Sequence, residues 1–454
     1  MSKYLPVANS TRSFWLSAEE DDIKGYRSSE ELPKEMDTVI IGSGYSGTAT
    51  AYYLLKGNPS NKSILMFEAR NICNGATSRN GGHLKCDLYY GYEGFLRKYG
   101  EKDAASIHNF EYDHIRATKA LVEEEKIDCN FVITRACDIH FDKSGMDKAI
   151  SGYNSVSKNS YVNYMHDLQI NFGDEAKTIS KVEKSPVCLT YTTGHLWPYK
   201  LVISLLRICI ARGLQVQANT PVLKTKRLND GRYLVKTPRG DVITKKLIVA
   251  TNGYTVSVEP GFENKIIPVK GVVSRITSAD PSKRTPHLTN TYALRYSSED
   301  YDYLINRGDG SVIVGGGKPV YGDNLDSFYN VVDDSTIIPK TKEFFTNYMK
   351  ERYYTWKDFD EKLDCIWSGI LGLTDDTLPY VGEMLKEKNK FIIAGFHGHG
   401  MPRVLLCAKA LARVINGEST SLEVPKPFKL TEARMENTEN ETFASLKTPR
   451  KHKL

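Results

Sequence analysis

The sequence has no apolar run near the ~18 residues that a membrane-spanning helix requires. None of its eight cysteines stands in C-x-x-C spacing, and no Cys/His cluster has zinc-ligand spacing. These absences argue against a membrane-embedded chain, a structural zinc and a bound metal centre. Cys73, Cys86, Cys129, Cys137, Cys188, Cys209, Cys365 and Cys407 read as buried or idle thiols rather than a disulfide framework. The first 35 residues are polar and charged and lack a signal-peptide core, so an intracellular location is expected. No internal repeat is found. A concentrated basic stripe is missing too. Of the net charge of +6, the segment from residue 425 onward holds +3, with seven Lys/Arg against four Glu. The body is near neutral, which argues against a nucleic-acid surface.

What remains is an ordinary globular composition. At 454 residues, 40% apolar and 26% charged, the chain is too long for one core and implies at least two domains. "MDTVIIGSGYSGTATAYYLLKG" reads as strand, tight turn and helix, and "SILMFEA" as the next strand, completing a βαβ unit. In the turn, Gly42 permits the bend, Gly44 lets backbone approach a pyrophosphate, and Gly47 allows close helix–strand packing. Ser43, Tyr45 and Ser46 fill the loop, and the helix N-terminus offers unpaired N–H groups to phosphate. Glu68, at the end of the second strand and followed by Ala69 and Arg70, is placed to accept from a ribose hydroxyl. This combination predicts dinucleotide binding without choosing between NAD and FAD.

A further segment bears on that choice. After the second strand a minimal NAD unit returns to helix, whereas this chain runs through Gly75, Ala76, Thr77, Ser78, Arg79, Asn80, Gly81 and Gly82. Small residues and exposed N–H groups there suit a large planar ligand, and Arg79 can face phosphate or a flavin carbonyl. "LIVATNGY" is a buried strand ending in small residues. "AGFHGHGMPRVLL" is a second strand–glycine–helix unit, whose helix N-terminus can stabilise negative charge on a reduced flavin. Elsewhere, residues 91–125 and "YKLVISLLRICIARG" read as helices, the latter closed by Gly213. "TKEFFTNYMKERY" reads as one helix. "PVKGVVSRI", "YALRYS", "YDYLINR" and "GSVIVGGG" read as strands of a second, antiparallel sheet.

Taken in order, "TVIIGSGYSG", "FEA…GATSRNGGH", "LIVATNGY", "IIPVKG" and "GILGLTDDTLPYVGE…FIIAGFHGHGM" resemble the FAD-dependent D-amino-acid oxidase and glycine/sarcosine oxidase superfamily. The nearest branch is the gamma-glutamylputrescine-oxidase-like oxidoreductases, whose short S-x-W element "RSFWLS" also resembles. The resemblance spans roughly residues 10–420. It implies an α/β fold: a Rossmann-like FAD-binding domain and a second α+β substrate domain on a mixed, largely antiparallel sheet. The implied segments are an N-terminal extension (1–35), a discontinuous FAD domain (36–90, 190–260 and 365–424), a substrate domain (91–189 and 261–364) and a loose polar tail (425–454).

The resemblance also implies roles. FAD would meet the first glycine loop, Glu68, the 78–82 segment, Val222 through its backbone, Thr251, and the turn Gly398, His399, Gly400 and Met401. The implied reaction oxidises the C–N bond of an amine or amino acid by hydride transfer to flavin, giving an imine and, with oxygen, hydrogen peroxide. A dehydrogenase using another acceptor, or a flavin-binding protein without turnover, are the alternatives. Lys318 falls near an oxygen-activating lysine of relatives. His83 can bond substrate or flavin. Cys365 lies near a position that carries a thioether to FAD in some relatives, although non-covalent FAD is the main expectation. His195 and Trp197 match a segment on the flavin or substrate side. Arg295 can hold a carboxylate through paired hydrogen bonds, with Tyr296 and His397 as further substrate contacts. The expected partners are a small-molecule amine or amino acid and molecular oxygen, with no nucleic acid and no membrane. The C-terminal His452-Lys453-Leu454 resembles a peroxisomal address, leaving cytoplasm and peroxisome both open.

Overall fold

Ile41, Phe67 and Val249 stand in register on three adjacent parallel strands, and Val249 also pairs with Ile392 on a fourth. These strands are Glu35–Ile41, Ile64–Phe67, Gly240–Val249 and Glu387–Ala394. Because their carboxyl ends align, the loops that follow them converge at one edge of the sheet, the usual place for ligands in open α/β sheets. The computed structural model describes residues 2–57, 63–297 and 300–447; the terminal tripeptide lies outside the described residues. The sheet has eight strands. Gln215–Gln217 extends it in parallel beyond Ile64–Phe67, Tyr380–Met384 closes the other edge antiparallel, and Lys224–Arg227 and Tyr233–Thr237 form an appended hairpin.

Alternation along the strands divides the core. Ile40, Met66, Ile248 and Ile393 face helices Tyr45–Gly57, Pro198–Ala211 and Val404–Asn416. Their neighbours Val39, Ile41, Leu65, Phe67, Leu247, Val249 and Ile392 pack on the other side with Tyr233 and Val235 of the hairpin. The apolar face expected of "YKLVISLLRICIARG" is the face that packs, and Gly213 closes the helix at φ 96°.

The second sheet has nine strands and is mixed. Glu361–Thr374, Ile266–Ser278, Val312–Gly315, Tyr301–Asn306 and Thr291–Arg295 run antiparallel to their neighbours, and Thr291–Arg295 then pairs in parallel with Val132–His140. The four strands expected from sequence are all in it. The segment ends expected at 190 and 365 fall inside the strands Val187–His195 and Glu361–Thr374, which belong to this sheet over their full lengths.

Three local expectations change. The stretch 341–353 is two short helices, Thr341–Phe345 and Tyr348–Arg352, because Asn347 takes a left-handed conformation at φ 59° and breaks the run. The long helix Tyr92–Glu124 forms as expected but kinks at Gly100, φ 78°. The polar segment after 424 is not loose as far as residue 447. Phe428 is fully buried, and Arg434 holds the Asp376 carboxylate with two nitrogens at 2.7 and 2.9 Å. Lys265 Nζ, salt-bridged to Asp375 at 2.8 Å, also donates to the Arg434 carbonyl.

Candidate functional site

At the converging strand ends the glycine loop is shaped by steric contact. A Cβ on Gly47 would lie 1.9 Å from the Gly42 carbonyl oxygen, and one on Gly42 would lie 2.6 Å from that of Ala250. Gly44 is different: its Cβ would meet one atom, the Thr77 side-chain hydroxyl at 3.2 Å, and it lines the cavity. The first-turn N–H groups of helix Tyr45–Gly57 have no intrahelical acceptor. One is taken by Thr77 Oγ1, 2.9 Å from Tyr45 N. The Glu68 carboxylate accepts from Ser43 N at 3.0 Å and Ser43 Oγ at 2.6 Å, and its other oxygen from Arg70 N at 3.0 Å. Ser43 is wholly buried and acts by aiming this carboxylate.

A cavity of about 680 Å³ runs from this turn along the second glycine-rich segment to the second sheet. Gly42, Gly44, Tyr45, Ser46, Glu68, Ala69, Arg70, Ala76, Thr77, Arg79, Asn80, Gly81, His83, Val222, Thr251, Arg295, Lys318, His397, Gly398, His399, Gly400 and Met401 all contribute to its wall. Ser43, Gly47, Ser78 and Gly82 lie behind it. The cradle at Gly44, the helix N-terminus and the aimed Glu68 fit the pyrophosphate and ribose of a dinucleotide. The long cavity beyond them leaves room for its planar end. Asn252 ties two of the walls together, its side-chain oxygen accepting from Gly395 N at 3.1 Å and Phe396 N at 3.2 Å.

The arginines of the two predicted segments do other work. Arg79 is buried and its guanidinium donates to Ser10, Thr11, Asn74 and Ser368, with Asp334 at 3.5 Å; burial pulls its pKa down to about 10. Arg70 grips the same Asp334 at 2.9 and 3.1 Å. Both therefore anchor the N-terminal segment rather than present free donors to a phosphate or flavin carbonyl. Trp15 and Ser13 complete this anchor by donating to the Asn80 and Ser78 carbonyls at 2.6 and 2.5 Å. Tyr296 is also displaced from its expected role. It follows Arg295, so its side chain points to the opposite face, stacks on Phe141 and donates to Asp302 at 2.8 Å. Cys365 does not line the cavity. It lies four residues before Gly369, the nearest cavity-lining residue on its strand, about 13 Å along an extended strand, and burial raises its thiol pKa to about 11, which disfavours a flavin thioether there.

Arg295 points into the cavity. Its guanidinium stacks between Tyr90 and Tyr301, with centroids 4.0 and 4.9 Å away. Among the described residues its buried Nε has no hydrogen-bond partner, and the carboxylate paired with it, Asp138, is 3.9 Å away. That carboxylate is already engaged by Lys85 at 3.0 Å and by Tyr89 and Tyr191 at 3.1 Å each. Lys318 opens a short helix after Gly316 and Gly317; the Asp302 carboxylate fixes this loop by accepting from Gly317 N at 2.7 Å.

Three histidines line the cavity. His83 Nε2 lies 2.7 Å from Thr291 Oγ1, and burial, aided by Lys85, holds its pKa well below the usual value. His397 Nδ1 accepts from Thr374 N at 3.1 Å, and burial holds its pKa down to about 3. His399 Nε2 meets Glu111 at 2.9 Å. His195 and Trp197 stand outside the wall: His195 pairs in register with His83, and Trp197 Nε1 donates to the Trp15 carbonyl at 2.8 Å. Glu111, Lys85, Asp334 and Asn252 were not singled out from sequence. Glu111 had a readable signal, since His108, Glu111 and His114 recur every three residues on the buried face of helix Tyr92–Glu124. Asp334 had none, because its two arginines lie 264 and 255 residues away in the chain.

Comparison with known proteins agrees with this geometry. The family model described as "FAD dependent oxidoreductase" matches residues 37–414. A probable oxidoreductase OrdL of Rhizobium meliloti is 22% identical over 401 residues, covering 87% of each chain. Glycine oxidase of Bacillus subtilis is 25% identical over 419 residues, covering 87% of this chain and 95% of its own. Among solved structures, glycine oxidase from Geobacillus kaustophilus superposes with a TM-score of 0.70 at 17% identity, covering 88% of this chain and 99% of that one. L-proline dehydrogenase from P. horikoshii gives 0.68 at 18% identity, covering 87% and 98%.

Proposed function

The chain belongs to the FAD-dependent oxidoreductase family and its cofactor is FAD, and from that premise we propose that it oxidises the C–N bond of a small amino acid or other carboxylate-bearing amine. The observation that carries this reading is Arg295. A guanidinium stacked between two tyrosines, with a buried Nε that has no partner among the described residues, suits a planar anion. The substrate carboxylate would complete its hydrogen bonds and fix the α-carbon in the cavity.

Gly42, Gly44 and the first turn of helix Tyr45–Gly57 would hold the pyrophosphate, and Glu68 the ribose. The 75–82 segment and the turn at Gly398–Met401 would flank the ring system. Held there, FAD would supply the hydride acceptor for oxidation of the substrate C–N bond to an imine. Lys318 sits close enough to His397 to help keep that ring neutral, and its positive charge would favour reduction of oxygen to peroxide at the same cavity.

An anaerobic screen of sarcosine, D- and L-amino acids, proline analogues and polyamine derivatives tests the reading by the bleaching of flavin absorbance. Carboxylate-bearing amines are expected to bleach it, and bleaching by none of the panel rejects amine oxidation. Peroxide yield per turnover then separates oxygen from another acceptor. For Lys318→Met, reoxidation by oxygen is expected to slow much more than reduction by substrate; equal effects remove Lys318 from the oxygen step.

A further inference from the structure

We propose that His399, oriented by Glu111 and Arg403, accepts the proton that converts a bound substrate ammonium into the neutral amine. The inference rests on the amine reading above and adds a catalytic residue to it.

The argument begins at Glu111. Its carboxylate is fully buried on helix Tyr92–Glu124. One oxygen accepts from Arg403 Nε at 2.7 Å; the other accepts from Asp87 N at 2.8 Å and lies 2.9 Å from His399 Nε2. Burial opposes its charge, but the charge of His399 once its ring holds a proton, together with the fixed charge of Arg403, outweighs burial and holds the carboxyl well below the usual range. An ionised carboxylate can only accept, so Nε2 carries the hydrogen of this contact. In the neutral ring the lone pair then belongs to Nδ1. The side chain is 28% exposed and lines the cavity, and among the described residues Nδ1 has no hydrogen-bond partner. It is the ring atom left for a ligand.

The other two cavity histidines cannot serve. His397 uses Nδ1 to accept from Thr374 N, and burial and Arg403 keep its ring neutral. His83 is bonded to Thr291 and disfavours charge through burial, Lys85 and its histidine neighbours. Only His399 has an anion at hydrogen-bond distance to stabilise the charge that comes with a proton, the arrangement by which a buried carboxylate supports a histidine base. Arg403 holds that anion in place without removing it. The charged and titratable groups around His399 are Glu111 and His108 from the long helix, Arg403 and His397 from the glycine turn and the helix after it, His83, Lys85 and Asp87 from the segment 83–87, and Lys318 beyond His397.

The chemistry requires such a group. An ammonium has no lone pair, and the α C–H can leave with its electrons only when the nitrogen lone pair can form the C=N bond. In the proposed step one N–H bond of the ammonium breaks and its electron pair stays on nitrogen. The proton binds His399 Nδ1, and the positive charge moves from substrate to the His399–Glu111 pair. Nothing is oxidised or reduced in this step.

The test uses holoenzyme and the amine that bleaches it most rapidly, with anaerobic bleaching followed from pH 6 to 10. In His399→Gln with FAD content retained, the rate at pH 7 is expected to fall about 10²-fold. It should recover as pH rises toward the amine's own pKa, and added imidazole should restore part of the pH 7 rate. Glu111→Gln, removing a positioning residue, should shift the same limb in the same direction. An unchanged profile, or an equal loss at every pH, overturns the proposal. A readout independent of turnover is ¹⁵N NMR of histidine-labelled protein: the His399 signal, identified by its loss in His399→Gln, should show the Nε2–H tautomer, and Nδ1–H would overturn it. If no amine bleaches the wild type, the amine reading fails and this one with it. If bleaching occurs with no shift of the limb, only this one fails.

Discussion

Arg295 and Tyr296 are neighbours, yet only one reaches the cavity. A strand sends successive side chains to opposite faces, so the arginine that meets the cavity commits the tyrosine to the packed side, against Phe141 and Asp302. For Arg295→Met the KM of a carboxylate-bearing substrate is expected to rise about 10- to 150-fold, the equivalent of ~1.5–3 kcal/mol for hydrogen bonds to a charged group. An amine lacking the carboxylate should be little affected. Steady-state kinetics on such a pair decides it, and equal losses for both would remove Arg295 from carboxylate binding. The same residue scale shows what the sequence could reveal. The places of Gly42, Gly44 and Glu68 at the turn and in the cavity wall were legible because they depend on local spacing. The donors of Arg79 were not legible, because an arginine beside a glycine loop has the same sequence context whether it faces a phosphate or a buried Asp334 from a distant loop.

At the scale of elements, single glycines within the glycine-rich segments differ in how much space they leave: Gly42, Gly47, Gly81 and Gly82 are crowded and Gly75 is not. Gly47 has no room for a methyl group, since its Cβ would sit 1.9 Å from a backbone oxygen that cannot rotate away. Gly75 has nothing within 4 Å and an ordinary φ of −104°. Gly47→Ala should therefore push the first strand and helix apart and abolish FAD retention, whereas Gly75→Ala should leave the fold of the protein intact. The flavin-to-protein absorbance ratio measures the first and the thermal midpoint the second, and retained flavin in Gly47→Ala would contradict the packing argument. Elements with strong local signals were readable: the strand–turn–helix units, the long helix and the alternating strands of the second sheet. Those decided by partners were not. The segment beyond 424 is polar by composition, yet Phe428 and Arg434 find seats that only the folded chain provides. The 341–353 stretch has helical composition, yet a left-handed Asn347 splits it.

Across the whole molecule, burial of histidines sets the response to pH. His114 and His195 are held down to about 4, and His140 and His397 to about 3, each mainly by burial; His83 is depressed in the same direction. In the unfolded chain each takes a proton near 6.5. Between these values the unfolded state binds more protons than the folded one, so stability is fully present above about pH 6.5 and is lost as pH falls through this window. Each such histidine contributes about 1.4 kcal/mol per pH unit, and several act together against a total of only ~5–15 kcal/mol for a folded domain. Glu361, raised to about 7 by burial, acts in the opposite sense, because protonation below that value favours the fold. Asp113, Glu259, Asp302 and Asp375, also raised by burial, act in that same sense and temper the loss. Glu111, with its depressed carboxyl, adds to the loss only at lower pH. The thermal midpoint should therefore be flat from pH 8 to about 6.5, then fall toward pH 4.5, above the range where depressed carboxylates alone would destabilise the protein. Scanning calorimetry across that range tests the balance. A midpoint that stays level down to pH 5 would mean that these histidines accept protons in the folded state and that the cavity around His83 and His397 is wetter than its packing indicates.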